Sequence, residues 1–274
     1  MKLRAFAKLN LSLRIFAKRP DGFHNLESVM QSISLHDTII LEPISSGIEV
    51  TCDKADVPQG KDNIAYKAAD IFMLQVAGCK LQVRGIKIHI EKRIPMAAGL
   101  AGGSADAAAV IYGLNQMLPS ELRTPNSELI PLAAQIGSDV PFCLTGGTCL
   151  VEGRGEIVNK QEPWPKTYYV LVCPDIHVST KWVYEEFDRL HLNLSEEIKN
   201  DLEPVVVEKH GIITDIKEKL LSLGCSEAQM SGSGPSVFGV MRHKAEAEEV
   251  YNSIRDDYPR SFLVETVEEG AEII

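Results

Sequence analysis

A chain of 274 residues, 45% of them hydrophobic and 24% charged, has the composition of an ordinary globular protein with room for one large or two modest domains, which excludes disorder. Its formal net charge of −10, with no long basic run, argues against a nucleic-acid backbone or an anionic membrane surface as partner. Six scattered cysteines without a Cys-x-x-Cys pair, and no apolar run of membrane-span or signal-peptide length, predict a cytoplasmic protein with reduced core cysteines and no zinc site.

Alternation of Leu9, Leu11, Leu13 and Ile15 predicts a strand over residues 3–16, closed by the turn Lys18-Arg19-Pro20-Asp21-Gly22. Strands follow at 28–43 and 47–52, then a helix over 62–76 with cap residues in Lys61-Asp62-Asn63. A short strand at 87–90 leads into a run of small residues, from which a helix-forming stretch over 105–118 emerges. Another helix, 126–136, stops at Gly137. The stretch 146–155 predicts a strand closing in a glycine turn, and Pro163-Trp164-Pro165 follows it, so a domain boundary is expected there. Beyond it come a strand (168–173), two helices (180–190 and 212–223), a strand (236–241), a helix (244–256) and a last strand (262–266). Strands and helices are segregated irregularly, which predicts α+β architecture.

Pro95-Met96-Ala97-Ala98-Gly99-Leu100-Ala101-Gly102-Gly103-Ser104-Ala105 carries the strongest chemical signal. Its small residues let backbone approach a bulky anion, and the helix that follows aims the free N–H groups of its first turn at the same point. There is no Gly-Lys-Ser/Thr ending and no dinucleotide-type glycine spacing, so neither the Walker loop nor a dinucleotide fold accounts for it. Taken alone, the run fits close packing of a helix on a sheet as well as it fits a phosphate cradle. A second glycine-serine loop, Ser231-Gly232-Ser233-Gly234-Pro235, precedes a strand in the other half of the chain. Lys8 and Asn10 alternate along the first strand and so share one side, opposite the leucines. Asp139 follows the helix stop in Gly137-Ser138-Asp139-Val140-Pro141 and precedes an expected strand, where loops commonly hold catalytic groups.

These four segments, in this order over nearly the whole chain, resemble the GHMP kinases, a family of small-molecule kinases. The resemblance implies a two-domain α+β GHMP kinase fold, with a ribosomal protein S5 domain 2-like N-terminal domain over 1–155 and a ferredoxin-like C-terminal domain over 156–274. The first would bind ATP and the second complete the substrate cleft. Small-molecule partners, Mg2+ with the ATP, no nucleic acid, no membrane, and a monomer or weak homodimer are implied with it. The run from Pro95 to Ala105 would hold the nucleotide together with Asn63 and Lys92, and Ser104 would sit near the magnesium ion. Asp139 would accept the proton of the acceptor hydroxyl, with Lys8 between that hydroxyl and the phosphoryl group in transfer.

Arg19-Pro20-Asp21-Gly22-Phe23-His24-Asn25-Leu26 resembles the branch of the family whose acceptor is a cytidine diphosphate-linked polyol. It implies that the cytosine rests here, where Phe23 can stack on the base and His24 can hydrogen-bond its edge. That branch more often carries tyrosine where Phe23 stands, so stacking is kept and a hydroxyl contact is lost. Asn10, Thr180, Gly232, Ser233 and Gly234 would complete the acceptor site with an aromatic from the helix after Thr180, Tyr184 in preference to Phe187. Kinases of homoserine, mevalonate or sugars have no cytosine to bind, and Lys8 and Asp139 together argue against an inactive ligand sensor.

Overall fold

One long strand organises the first sheet. In the computed structural model, which describes residues 1–76, 84–190 and 197–274, β3 (His24–Ile44) is 21 residues long. Rich in Ile, Leu and Val, it pairs along most of its length with β1 (Lys2–Asn10). Its N-terminal half also pairs with β2 (Arg14–Lys18) and β6 (Thr148–Gly153), and its C-terminal half with β5 (Gly85–Glu91), beside which β4 (Gly47–Cys52) runs parallel. A register shift between Phe6 and Ala7 interrupts the β1 ladder just before Lys8, and such a bulge re-aims the side chains that follow it. Helices α1 (Ile64–Val76), α2 (Gly102–Gln116), α3 (Asn126–Ile136) and α4 (Val140–Thr145) cover the sheet around α2. The alanines of α2, Ala105 and Ala107 to Ala109, are fully buried and let that helix lie close to its neighbours.

The second sheet contains β8 (Tyr168–Val172), β9 (Glu227–Met230), β10 (Val237–Met241) and β11 (Ser261–Glu265), all antiparallel in the order β11-β8-β10-β9. Counting these strands from β8, the order is fourth, first, third, second, which is the ferredoxin-like arrangement. Its core includes α5 (Thr180–Leu190), α6 (Glu203–Lys209), α7 (Ile212–Ser222) and α8 (Lys244–Ile254). Period-two alternation on β8 divides its side chains between two cores. Val170 and Val172 face the second domain's helices, whereas Tyr169, Leu171 and Cys173, with Phe238 of β10, belong to the first domain's core. The two halves therefore share buried apolar surface, and the cleft between them has a fixed floor.

Several elements differ from the sequence expectation. The leading strand divides into β1 and β2 around residues 11–13, where Leu11 and Leu13 donate backbone hydrogen bonds to Val29 and Lys199. Asp139 opens the helix α4 rather than a strand, because Pro141 stands at its start, where a missing N–H costs nothing. β7 (Ile157–Lys160) pairs with β6, and β12 (Ala271–Ile273) returns from the chain's end to pair with β1. The first sheet thus takes back residues 157–160 and 271–273 from the segment 156–274, since edge pairing satisfies backbone groups regardless of position in the chain.

Burial pushes the thiols of Cys149, Cys173 and Cys225 up to about 11 and that of Cys143 higher still, which makes them inert core residues. Cys79 lies outside the described residues. Among the described residues, no helix is long and apolar enough to cross a membrane.

Candidate active site

The small-residue run forms a loop between β5 and α2 in a strained backbone. Ala97 and Ala101 have φ of 50° and 57°, with Gly99 at 75° between them. A non-glycine residue pays about 1–2 kcal/mol for the left-handed region, so two such alanines mark a loop whose shape its surroundings dictate. Ala101 is the N-cap of α2 and supplies no side-chain hydrogen bond, which leaves the first-turn N–H groups to a ligand.

Three hydrogen bonds lock this loop to both domains. Lys8 N donates to Leu100 O at 3.1 Å, Ser236 N to Ala98 O at 3.3 Å, and Ser231 Oγ to Gly99 O at 3.1 Å. A Cβ on Gly99 would lie 2.3 Å from Ser231 O, closer than any real contact. Gly99→Ala is therefore expected to cost about 1–3 kcal/mol of strain and to push the two glycine loops apart. A Km for ATP raised at least tenfold, with a lowered Tm, is the expected result; kinetics and a melting curve of the purified variant check it.

Lys8, Asn10 and Asp139 converge below the loop. Lys8 is only 4% exposed; its Nζ donates to Asn10 Oδ1 and lies 3.8 Å from Asp139 Oδ2. Asn10 Nδ2 donates to Ser28 Oγ at 2.8 Å, and Ser28 Oγ donates to Ser12 O at 2.5 Å. Asn10 thus spends much of its hydrogen-bonding capacity on aiming Lys8. Gly232 approaches the same pair: a Cβ there would stand 2.9 Å from Asn10 Oδ1 and 3.4 Å from Lys8 Nζ. Asn200 holds that second loop by donating to Met230 O and Gly232 O at 2.9 and 2.8 Å.

A cleft of about 970 Å³ joins these groups to Phe23, His24, Asn63, Lys92, Thr180, Tyr184, Ser233 and Gly234. Pro95 to Gly99 and Ala101 to Ser104 line it, while Leu100 and Ala105 turn into the core. Asn63 lines it with a side chain already in use, since its Oδ1 accepts from Ala65 N at 2.8 Å to cap α1 and its Nδ2 donates to Pro58 O at 2.7 Å. Lys92 lines the cleft as well, with its ammonium already paired. Its Nζ donates to Asp37 at 2.5 Å and Asp106 at 2.7 Å, all three side chains being buried. Burial pushes the Lys92 ammonium down, but Asp106 and Asp37 outweigh it and hold it above its ordinary value. Burial also raises the Asp106 carboxyl well above the usual carboxylate range, against the pull of Lys92.

At the far end Phe23 is half exposed, and the Arg154 guanidinium lies 5.3 Å from its ring centre. His24 is buried beneath Tyr184, the rings 5.5 Å apart and 25° from parallel, and Phe187 meets it edge-on at 6.3 Å. Tyr184 and Phe187 both pack against the second domain's core, and Tyr184 also lines the cleft. Thr180 Oγ1 and Ser233 Oγ stand 2.9 Å apart, linking α5 to the second glycine loop. Sequence reasoning missed Asp37, Asp106, Asp188 and Asn200, and gave Ser231 no role beyond its place in the second glycine loop. A carboxylate among the alanines of α2 was the available signal for Asp106; the others have partners far away in the chain.

A strained glycine-alanine loop opening a helix, a lysine 3.8 Å from a carboxylate, and a second glycine loop packed against both place the chain among small-molecule kinases of the GHMP type. GHMP kinases N terminal domain matches residues 63–147 and GHMP kinases C terminal matches residues 182–260, and the chain belongs to this family. Within it, the chain is a member of the 4-diphosphocytidyl-2-C-methyl-D-erythritol kinases. It is 42% identical to the protein of that name from Acetivibrio thermocellus, over 97% of this chain and 99% of that one. A crystal structure of 4-(cytidine 5'-diphospho)-2C-methyl-D-erythritol kinase is similar with a TM-score of 0.81 at 31% identity, over 97% of this chain and 99% of the other. Homoserine kinase from Cytophaga hutchinsonii shares the fold, with a TM-score of 0.77 at 18% identity over 100% of this chain and 97% of that one.

Proposed function

We propose that this chain transfers the γ-phosphoryl group of ATP to the 2-hydroxyl of 4-diphosphocytidyl-2-C-methyl-D-erythritol, a step of the non-mevalonate route to isoprenoid precursors. The observation that carries this reading is one cleft holding three things: the strained loop at the start of α2, the Lys8–Asp139 pair, and the Phe23–His24 corner. The loop and the first turn of α2 cradle the ATP phosphates with backbone N–H groups. Asp139 accepts the proton of the acceptor hydroxyl as it attacks the γ-phosphorus. Lys8, held by Asn10, stabilises the developing alkoxide and the charge spread over the transferring group. Phe23 stacks on the cytosine, and Thr180, Gly232, Ser233 and Gly234 enclose the acceptor from the second domain.

Magnesium fits this site: the Ser104 hydroxyl lines the cleft with no hydrogen-bond partner among the described residues, and a hard oxygen beside phosphates is the donor set Mg2+ prefers. Ser104 would hold the ion together with the phosphates, where it would neutralise charge on the β- and γ-oxygens. ATP as co-substrate together with unreactive buried thiols supports the cytoplasm. A coupled ADP-release assay tests the substrate. Turnover with 4-diphosphocytidyl-2-C-methyl-D-erythritol and none with mevalonate or homoserine is expected, and the opposite pattern refutes the assignment.

A further inference from the structure

His24 is 7% exposed, lines the cleft, and uses one ring nitrogen only. Its Nε2 stands 2.7 Å from Asp188 Oδ1, whereas Nδ1 has no hydrogen-bond partner among the described residues. The other oxygen of Asp188 accepts from Lys18 Nζ at 2.6 Å. Asp188 therefore bridges two domains, reaching from α5 to β2 and to the first residue of β3. Burial pushes the Asp188 carboxyl up, but hydrogen bonds from Lys18 and His24 outweigh it and keep it below the ordinary carboxylate value. An ionised carboxylate can only accept, so Nε2 must carry a proton. The Lys18 ammonium offsets the carboxylate's charge, and Tyr184 and Phe187 fix the plane of the ring.

Resting on the function proposed above, we infer that Asp188 is a positioning residue that makes His24 selective for cytosine, by holding its proton on Nε2 and leaving the Nδ1 lone pair for the cleft. A lone pair accepts a hydrogen bond from the exocyclic amino group of cytosine. The same lone pair opposes the carbonyl oxygen that uracil carries at that position. The contact between the two domains and base selection share one carboxylate, because Asp188 comes from α5 and His24 from β3.

Two measurements test this. Histidine side-chain 15N correlation spectra of the labelled protein, with His24 assigned by its absence in His24→Gln, should show the neutral ring protonated on Nε2. In Asp188→Ala this bias should disappear. Steady-state kinetics should show Asp188→Ala raising the Km for the cytidine acceptor about tenfold, the worth of one hydrogen bond, with kcat within about threefold and the Km for ATP unchanged. Its preference for the cytidine acceptor over the uridine analogue should shrink by a similar factor. Should Asp188→Ala fold poorly, Asp188→Asn keeps the shape while offering either an oxygen or an amino group, and it should give mixed tautomers. Wild-type His24 protonated on Nδ1, or an unchanged acceptor Km and uridine discrimination in the variants, overturns the role of Asp188. Failure of the wild-type chain to phosphorylate the cytidine acceptor overturns the proposed function instead, and the uracil discrimination with it.

Discussion

Asp139→Asn is expected to lower turnover at least about 100-fold, close to 2.7 kcal/mol of transition-state stabilisation, while the fold and the Km for ATP stay near wild type. The side chain is the right one to lose selectively. Asp139 stands at the N-cap of α4 without making a side-chain cap hydrogen bond, so the helix does not depend on its carboxylate. Asparagine keeps the shape but cannot take up the proton of the attacking hydroxyl. Lys8, 3.8 Å away, loses a charged neighbour yet keeps the hydrogen bond to Asn10 that aims it. The loop opening α2 is fixed by Lys8 N, Ser236 N and Ser231 Oγ donating to its carbonyls, none of which involves Asp139. Kinetics on the purified variant, beside a melting curve and a nucleotide titration, separate these effects; turnover within a few-fold of wild type removes Asp139 as the base.

Much of the architecture was legible because its long elements have strong periods. The helix expected at 126–136 is α3, residue for residue, and the one expected from residue 180 begins where α5 does, since their apolar spacing is long enough to count and Gly137 marks the end of the first. Short elements were not legible: α4 has six residues, β9 four and β12 three, below the window over which a period can be counted. The run Val140-Pro141-Phe142-Cys143-Leu144 is apolar throughout, which suits a buried strand as well as a buried helix. Only tertiary pairing decides where β12 goes, and it goes to the opposite end of the chain, against β1.

For the site, local signals sufficed where chemistry is local. A glycine-alanine loop opening a helix, or a lysine and an asparagine on one strand face, can be read from neighbours in sequence. Asp188 cannot, because its partner His24 is 164 residues away, and Asp37 meets Lys92 across 55 residues. These carboxylates set the charge and orientation of groups the sequence does mark, so they emerge only once the fold brings them together. Lys92 illustrates the consequence, since a basic residue at a strand end beside a phosphate loop suggests a ligand contact, yet two buried aspartates already claim its ammonium.

Lys92→Met is accordingly expected to act first on stability, destabilising the fold by about 3–5 kcal/mol, the usual result of removing one partner from a buried charged network. For a chain of this size that corresponds to a Tm lowered by roughly 10 °C. Methionine keeps the unbranched stem and lacks only the terminal ammonium, so the loss reports chiefly that charged group. Asp37 keeps its backbone donors, Arg93 N at 2.5 Å and Ile94 N at 2.8 Å, but Asp106 keeps none, and its Oδ1 has no partner even in the intact triad. Asp106→Asn should cost less than half as much, because burial already drives that carboxyl toward its neutral form and the amide oxygen can still accept from Lys92. The ammonium also lies under the start of α2, 3.1 Å from where a Cβ of Gly102 would stand. Lys92→Met should therefore raise the Km for ATP as well, measured at a temperature where the variant is folded. Equal stability of Lys92→Met and wild type, with only the Km for ATP changed, would instead make Lys92 a direct ligand of the nucleotide.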